Sequence, residues 1–144
     1  MSRDPLASRA VYRHWSTLWT RWDDNDVYGH VNNTVHYRWF DTVVNSWLIG
    51  NGLLDIERGD PIGVVVETGC RYAASVAFPE AVDIGLMIAR LGNSSVTYQL
   101  GVFRTAETAA VAQGYFTQVC VARGNRRPVP LPQEWRERLS TLVG

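Results

Sequence analysis

Lysine is missing from this sequence altogether: all fourteen basic residues are arginine, and fourteen acidic residues balance them. With no net charge there is no global field to draw in nucleic acid or an anionic membrane surface. Arginine does, however, supply planar forks suited to phosphate. Cysteine is scarce too. Cys70 and Cys120 both fall in apolar, strand-like runs and neither sits in a CxxC or nucleophile context, so buried free thiols in a reducing interior are expected. No window approaches 18 uninterrupted apolar residues, so nothing reads as a membrane span. The opening MSRDPLASRAVYRHW has no apolar secretory core, and the expected location is cytoplasmic. No internal repeat, HExxH or GxSxG occurs, which removes the commonest zinc and serine hydrolase signatures.

What is present argues for one globular domain. The 144 residues are 46% hydrophobic and include six Trp, and a chain of this length buries about 68–70% of its unfolded surface. HWSTLWTRW, residues 14–22, reads as a first strand and is broken by DDNDVYGHVNN. From about Thr34 to Ile49 the apolar residues Val35, Trp39, Phe40, Val43, Val44, Trp47 and Leu48 mark one wide helix face. Asn32, Asn33 or Thr34 can cap its start, and GNG at Gly50–Gly52 supplies a stop. Four strand-like segments follow: Ile62–Tyr72, Ala81–Leu91, Ser95–Arg104 and Ala109–Arg123. LGNS and TAET are short enough for hairpins, so neighbouring strands should run antiparallel. The order β, long helix, four strands predicts an α+β domain with a sheet covering one helix. PQEWRERLSTL reads as a short terminal helix within an irregular tail, residues 124–144.

The stretch TRWDDNDVYGHVNNTVHYRWFD, Thr20 to Asp41, concentrates the candidate chemistry. As a calcium loop, Asp24 to Gly29 fails at two ligand positions, since Tyr28 and Val35 stand where oxygen ligands belong. His30 and His36 have no metal-binding spacing, so no metal is expected. As an ordinary turn, Asp24 and Asp26 would bond nearby amides, with Asp24 also able to pair Arg21. Along an extended segment both carboxylates would face one side. As an active site, the helix start offers unpaired N–H groups to a carbonyl oxygen gaining charge, and Gly29 lets the backbone approach closely. A carboxylate one turn upstream could attack a thioester carbon or take a proton from water. Arg38 and Asp41, three apart on the helix, could pair and are read as structural. Most tryptophans are expected in the core, with those near the helix start and Tyr28 as possible substrate contacts.

The same residues resemble the signature of hotdog-fold acyl-CoA thioesterases of the 4-hydroxybenzoyl-CoA type, R-[WF]-x-D-x-D-x-x-G-[HI]-V-x-[NY]-x-x-Y-x-R-[WF]-x-[DE]. The resemblance runs from about residue 15 to 133, with a core of about 15–123. It implies a hotdog fold, one long helix wrapped by a five-stranded antiparallel sheet, and hydrolysis of an acyl-CoA thioester. It implies Asp26 as nucleophile or general base, the backbone N–H near Asn33 as oxyanion donor, and His30 orienting substrate or carboxylate. GHVNN departs from the benzoyl type, so that substrate is not assumed. Glu67 interrupts the apolar run of its strand and is the candidate second carboxylate, facing a partner's site. Arg90, Ser94, Ser95, Arg126 and Arg127 are candidates for coenzyme A phosphates. No cofactor is expected, coenzyme A being part of the substrate. The resemblance further implies a homodimer or homotetramer, and a Val-rich edge at Val64–Val66 would need such a partner in any case. Two alternatives stay open: a hotdog hydroxyacyl-thioester dehydratase or isomerase pairing His30 with Glu67, and a non-catalytic acyl-CoA binder.

Overall fold

A computed structural model describes residues 4–144. After a short 3-10 turn at Arg9–Val11, the elements in chain order are β1 (His14–Trp19), a 3-10 turn (Trp22–Asp24), α1 (Asn33–Gly50), β2 (Ile62–Tyr72), β3 (Ala81–Leu91), β4 (Ser95–Arg104), β5 (Ala110–Val121) and α2 (Gln133–Ser140). The strands form one antiparallel sheet in the order β1-β3-β4-β5-β2. This is the hotdog arrangement expected from the sequence.

Alternation explains the wrapping. Val82, Ile84, Leu86 and Ile88 on β3, and Val96, Tyr98, Leu100 and Val102 on β4, all turn to one face and are buried. They meet Val35, Trp39, Phe40, Val43, Val44, Trp47 and Leu48 from α1 in a single core. The helix lies close because β5 offers Gly114 beneath it, where an added Cβ would collide with the Phe40 ring. Phe40 also meets Phe116 edge to face, the ring centroids 6.4 Å apart.

The first strand ends at Trp19, earlier than expected, because the chain rolls into the turn Trp22–Asp24. Three tryptophans depart from the expected core. Trp39, Trp47 and Trp135 are buried, but Trp15, Trp19 and Trp22 are exposed around β1 and the following turn. Both sheet edges, β1 and β2, lack a neighbouring strand among the described residues. On β2, Val65 and Val66 are 45% and 59% exposed, so the apolar edge expected there is real. Cys120 is buried and Cys70 partly so, both free, and burial pushes the Cys120 thiol up to about 11. Among the described residues no helix is long and apolar enough to cross a membrane.

Candidate active site

The turn between β1 and α1 treats its two central carboxylates differently. Asp24 is 1% exposed. Its Oδ2 accepts the Arg21 amide at 2.7 Å, and its Oδ1 accepts Arg21 Nη2 at 3.2 Å and Arg38 Nη2 at 2.5 Å. A carboxylate so enclosed is fully committed to holding the turn against the helix. The Arg38–Asp41 pair that the spacing allows is therefore replaced. Helical side chains lean toward the amino terminus, which carries the Arg38 fork to Asp24, while Asp41 accepts from Asn45 instead. Nor do Asp24 and Asp26 face one side, since the 3-10 turn breaks the extended path.

Asp26 is half-buried and only lightly held. Its Oδ1 accepts the Tyr28 amide at 2.9 Å and its Oδ2 accepts Asn32 Nδ2 at 3.3 Å. An ionised carboxylate has about four acceptor sites, so capacity remains for a ligand. Asn32 is also the helix cap: its Oδ1 accepts the Thr34 amide at 2.9 Å. One side chain thus ties the carboxylate to the amino end of α1. Gly29 makes the intervening reversal possible with φ +84°, and an added Cβ there would meet nothing, so the glycine serves conformation and not space. The Asn33 N–H finds no partner among the described residues, as the first amide of a helix should.

These groups converge. Asp26, Tyr28, His30, Val31, Asn33, His36, Tyr72, Ala74 and Ser75 line one depression of about 350 Å³ at the amino end of α1. Four of the expected catalytic and substrate residues, Asp26, Tyr28, His30 and Asn33, are brought together there, with Gly29 in the loop beside them. Tyr28 and His30 sit at its exposed rim. Of the lining residues that were not foreseen, two bear on the chemistry. Tyr72, from the end of β2, donates its hydroxyl to the Asn33 carbonyl at 2.9 Å. His36 is 3% exposed, and burial lowers its pKa to about 4. The signal for His36 was available: the family pattern carries Tyr at that place.

The other expected residues lie elsewhere in the chain. Glu67 is exposed and pairs across β2–β5 with Thr117. Phe116 and Gln118 on either side of Thr117 are buried toward the helix, so alternation turns Thr117 and Glu67 to the opposite face. Within one chain Glu67 does not enter the depression, and His30 and Glu67 do not meet. Arg90, Ser94 and Ser95 flank the β3–β4 hairpin, and Arg126 and Arg127 follow β5; the Cys120 amide donates to the Ser94 carbonyl, joining the two segments. They gather at the far end of the sheet. From Val102, whose β5 neighbour Ala112 pairs with Tyr72, to Ser95 is seven steps, roughly 23 Å along the strand. Arg126 itself takes φ +61° in a tight turn.

The profile of the thioesterase-like superfamily matches residues 20–139. Among solved structures, the PA5185 protein from Pseudomonas aeruginosa PAO1 is similar at 50% identity and TM-score 0.92, covering 95% of this chain and 96% of that one. The PA2801 protein from the same species, a candidate thioesterase, is similar at 28% identity and TM-score 0.81, covering 88% and 97%. A 1,4-dihydroxy-2-naphthoyl-CoA thioesterase from Synechocystis shares the fold at 18% identity and TM-score 0.79, covering 88% and 94%. No functionally curated protein matches the sequence.

Proposed function

The chain belongs to the thioesterase-like superfamily and is a thioester hydrolase; we propose that it splits acyl-CoA thioesters in the depression at the amino end of α1. One observation carries the assignment of the site. The Asp26 carboxylate is tethered by Tyr28 N–H and Asn32 Nδ2 beside the unpartnered Asn33 N–H, in one depression.

The chemistry follows from charge placement. The thioester carbonyl oxygen accepts the Asn33 N–H, and the positive end of the helix dipole favours the negative charge that develops there. Asp26 either attacks the carbonyl carbon, forming a mixed anhydride that water then opens, or takes a proton from the water that attacks. In both routes the C–S bond breaks, coenzyme A leaves as thiolate and one water is consumed. A thiolate departs readily, so a modest carboxylate suffices. Transfer of ¹⁸O from solvent into Asp26 during turnover distinguishes the two: the anhydride route labels the carboxylate when water attacks its carbon, and the general-base route never does. His30 sits at the rim, where it can orient the substrate.

The nucleotide contacts are assigned to a second copy of the chain. β2 is an apolar, unpaired edge, and pairing it with itself around a two-fold axis joins two sheets without leaving that edge open. The strand runs from Ile62, beside Val121, to Tyr72, beside the depression. Antiparallel self-pairing therefore carries the partner's basic end, with Arg126 and Arg127, toward the depression of the first chain. Glu67, midway along β2, stays on the face turned away from the helices in that assembly, so no part in this scheme is assigned to it. A homodimer is the minimum unit of this scheme.

The test is a thiol-release screen over short, long, branched and aromatic acyl-CoAs. Free thiol and free acid in equal amounts are expected. Enoyl product without thiol, or saturable binding without turnover of any member, would overturn the reading.

A further inference from the structure

The scheme above leaves the buried imidazole of His36 without a task. It stands one helical turn beyond Asn33 and forms part of the wall of the same depression. Asn33 is exposed at the mouth and His36 is 97% enclosed, so a substrate whose carbonyl meets Asn33 reaches His36 with its acyl group. The ring is set among aromatics: Tyr72 edge-on at 5.0 Å, Trp39 tilted at 4.9 Å and Phe40 at 6.4 Å. Among these rings Nδ1 has no hydrogen-bond partner.

Such a group is costly unless it serves a purpose. An unsatisfied buried polar atom is destabilising, and an apolar residue would fill the same envelope without that penalty. Burial keeps the imidazole neutral at ordinary pH, which leaves one N–H and one bare nitrogen. A stranded N–H is rarer than a stranded acceptor, so the proton belongs on Nε2 and the sealed Nδ1 is bare. The ring edge left to face the depression is then a hydrogen-bond donor in an otherwise aromatic wall.

We propose that His36 is a specificity residue that selects acyl groups bearing a hydrogen-bond-accepting oxygen near their carbonyl end. Adjacent turns of a helix bring side chains to about 5–6 Å between Cβ atoms, so the oxygen it reads lies close to the thioester and not at the tail. The inference rests on the thioesterase reading of this depression and adds the substrate class to it.

The experiment compares kcat/KM within matched sets: 3-hydroxybutyryl-, acetoacetyl- and butyryl-CoA, and 2-hydroxybenzoyl- against benzoyl-CoA. The native enzyme should favour an oxygenated member over its plain counterpart by about tenfold or more. His36→Phe, which keeps the aromatic shape, should bring that ratio to within about twofold while plain substrates still release thiol. A native preference for the plain members, an unchanged ratio in the variant, or equal slowing of every substrate would each overturn the proposal. Equal slowing would instead mark His36 as a contact to the carbonyl. Should His36→Phe not fold, ¹⁵N resonances of the native imidazole decide. Nε2 should shift with coenzyme A plus 3-hydroxybutyrate and stay put with coenzyme A plus butyrate, and identical shifts would refute the idea. Absence of thiol release from all five compounds would defeat the thioesterase reading itself, a different failure from an unselective hydrolase.

Discussion

The two ends of the central helix are built to opposite purposes. At the carboxyl end three of the last four carbonyls are used: Trp47 accepts the Asn51 amide and side chain, Leu48 accepts Leu53 N–H, and Ile49 accepts Gly52 N–H. Leu48 and Leu53 pack the same end into the core. At the amino end the first N–H is left free, a carboxylate is held by two contacts only, and a buried imidazole nitrogen has none. A buried imidazole nitrogen without a partner is expensive, and at this end it stands beside an open N–H and a lightly held carboxylate, the arrangement the proposed site requires.

That contrast can be broken from either side. The largest loss of stability belongs to the closed end. Leu48→Ala should cost about 2–5 kcal/mol in denaturant unfolding yet leave KM and kcat near native values. Acid tests the open end. A His36 whose pKa is lowered in the fold to about 4 binds its proton more readily when unfolded, so stability is full above the ordinary value of 6.5 and falls as pH drops toward 4. The groups facing the ring are Trp39, Phe40 and Tyr72, and burial raises the Tyr72 phenol so that it stays neutral throughout. The expected loss is on the order of 3 kcal/mol, and His36→Phe should remove that part of the slope. Asp24→Asn sharpens the comparison between neighbouring carboxylates. It strands two arginine forks that can still reach water, and a melting experiment should report a loss of about 1–3 kcal/mol. Asn32→Ala should be the smallest in stability, about 1 kcal/mol for the lost cap. Because Asn32 also holds Asp26, its effect on kcat should exceed its effect on melting.

Periodicity carried most of the fold. Three strands, Ile62–Tyr72, Ala81–Leu91 and Ser95–Arg104, have the bounds that alternation indicates. The helix extends one residue further at each end than the span Thr34 to Ile49 read from the sequence. The last strand stops at Val121 and not Arg123, since Val121 pairs back to Pro128 and the chain must turn there. Of the site, the local part was legible because Asp26, Gly29, His30 and Asn33 are brought together by one turn within eight residues. What was not legible depends on distant segments. The partners of Asp24, the burial of His36 against Tyr72 and the outward face of Glu67 follow from sheet register, which no local spacing encodes. The exposed Trp15, Trp19 and Trp22 misled for the same reason: local spacing does not show which side of β1 and its following turn the rest of the chain covers.

The central claim is that Asp26 is free for chemistry while Asp24 is bound to structure. Measuring kcat and the unfolding midpoint together for Asp26→Asn tests it most directly, with the acyl-CoA that the screen shows to be turned over best. Turnover should fall by about 10²–10⁴-fold with the midpoint and coenzyme A affinity close to native. Near-native turnover, or a loss matched by unfolding, would contradict the account.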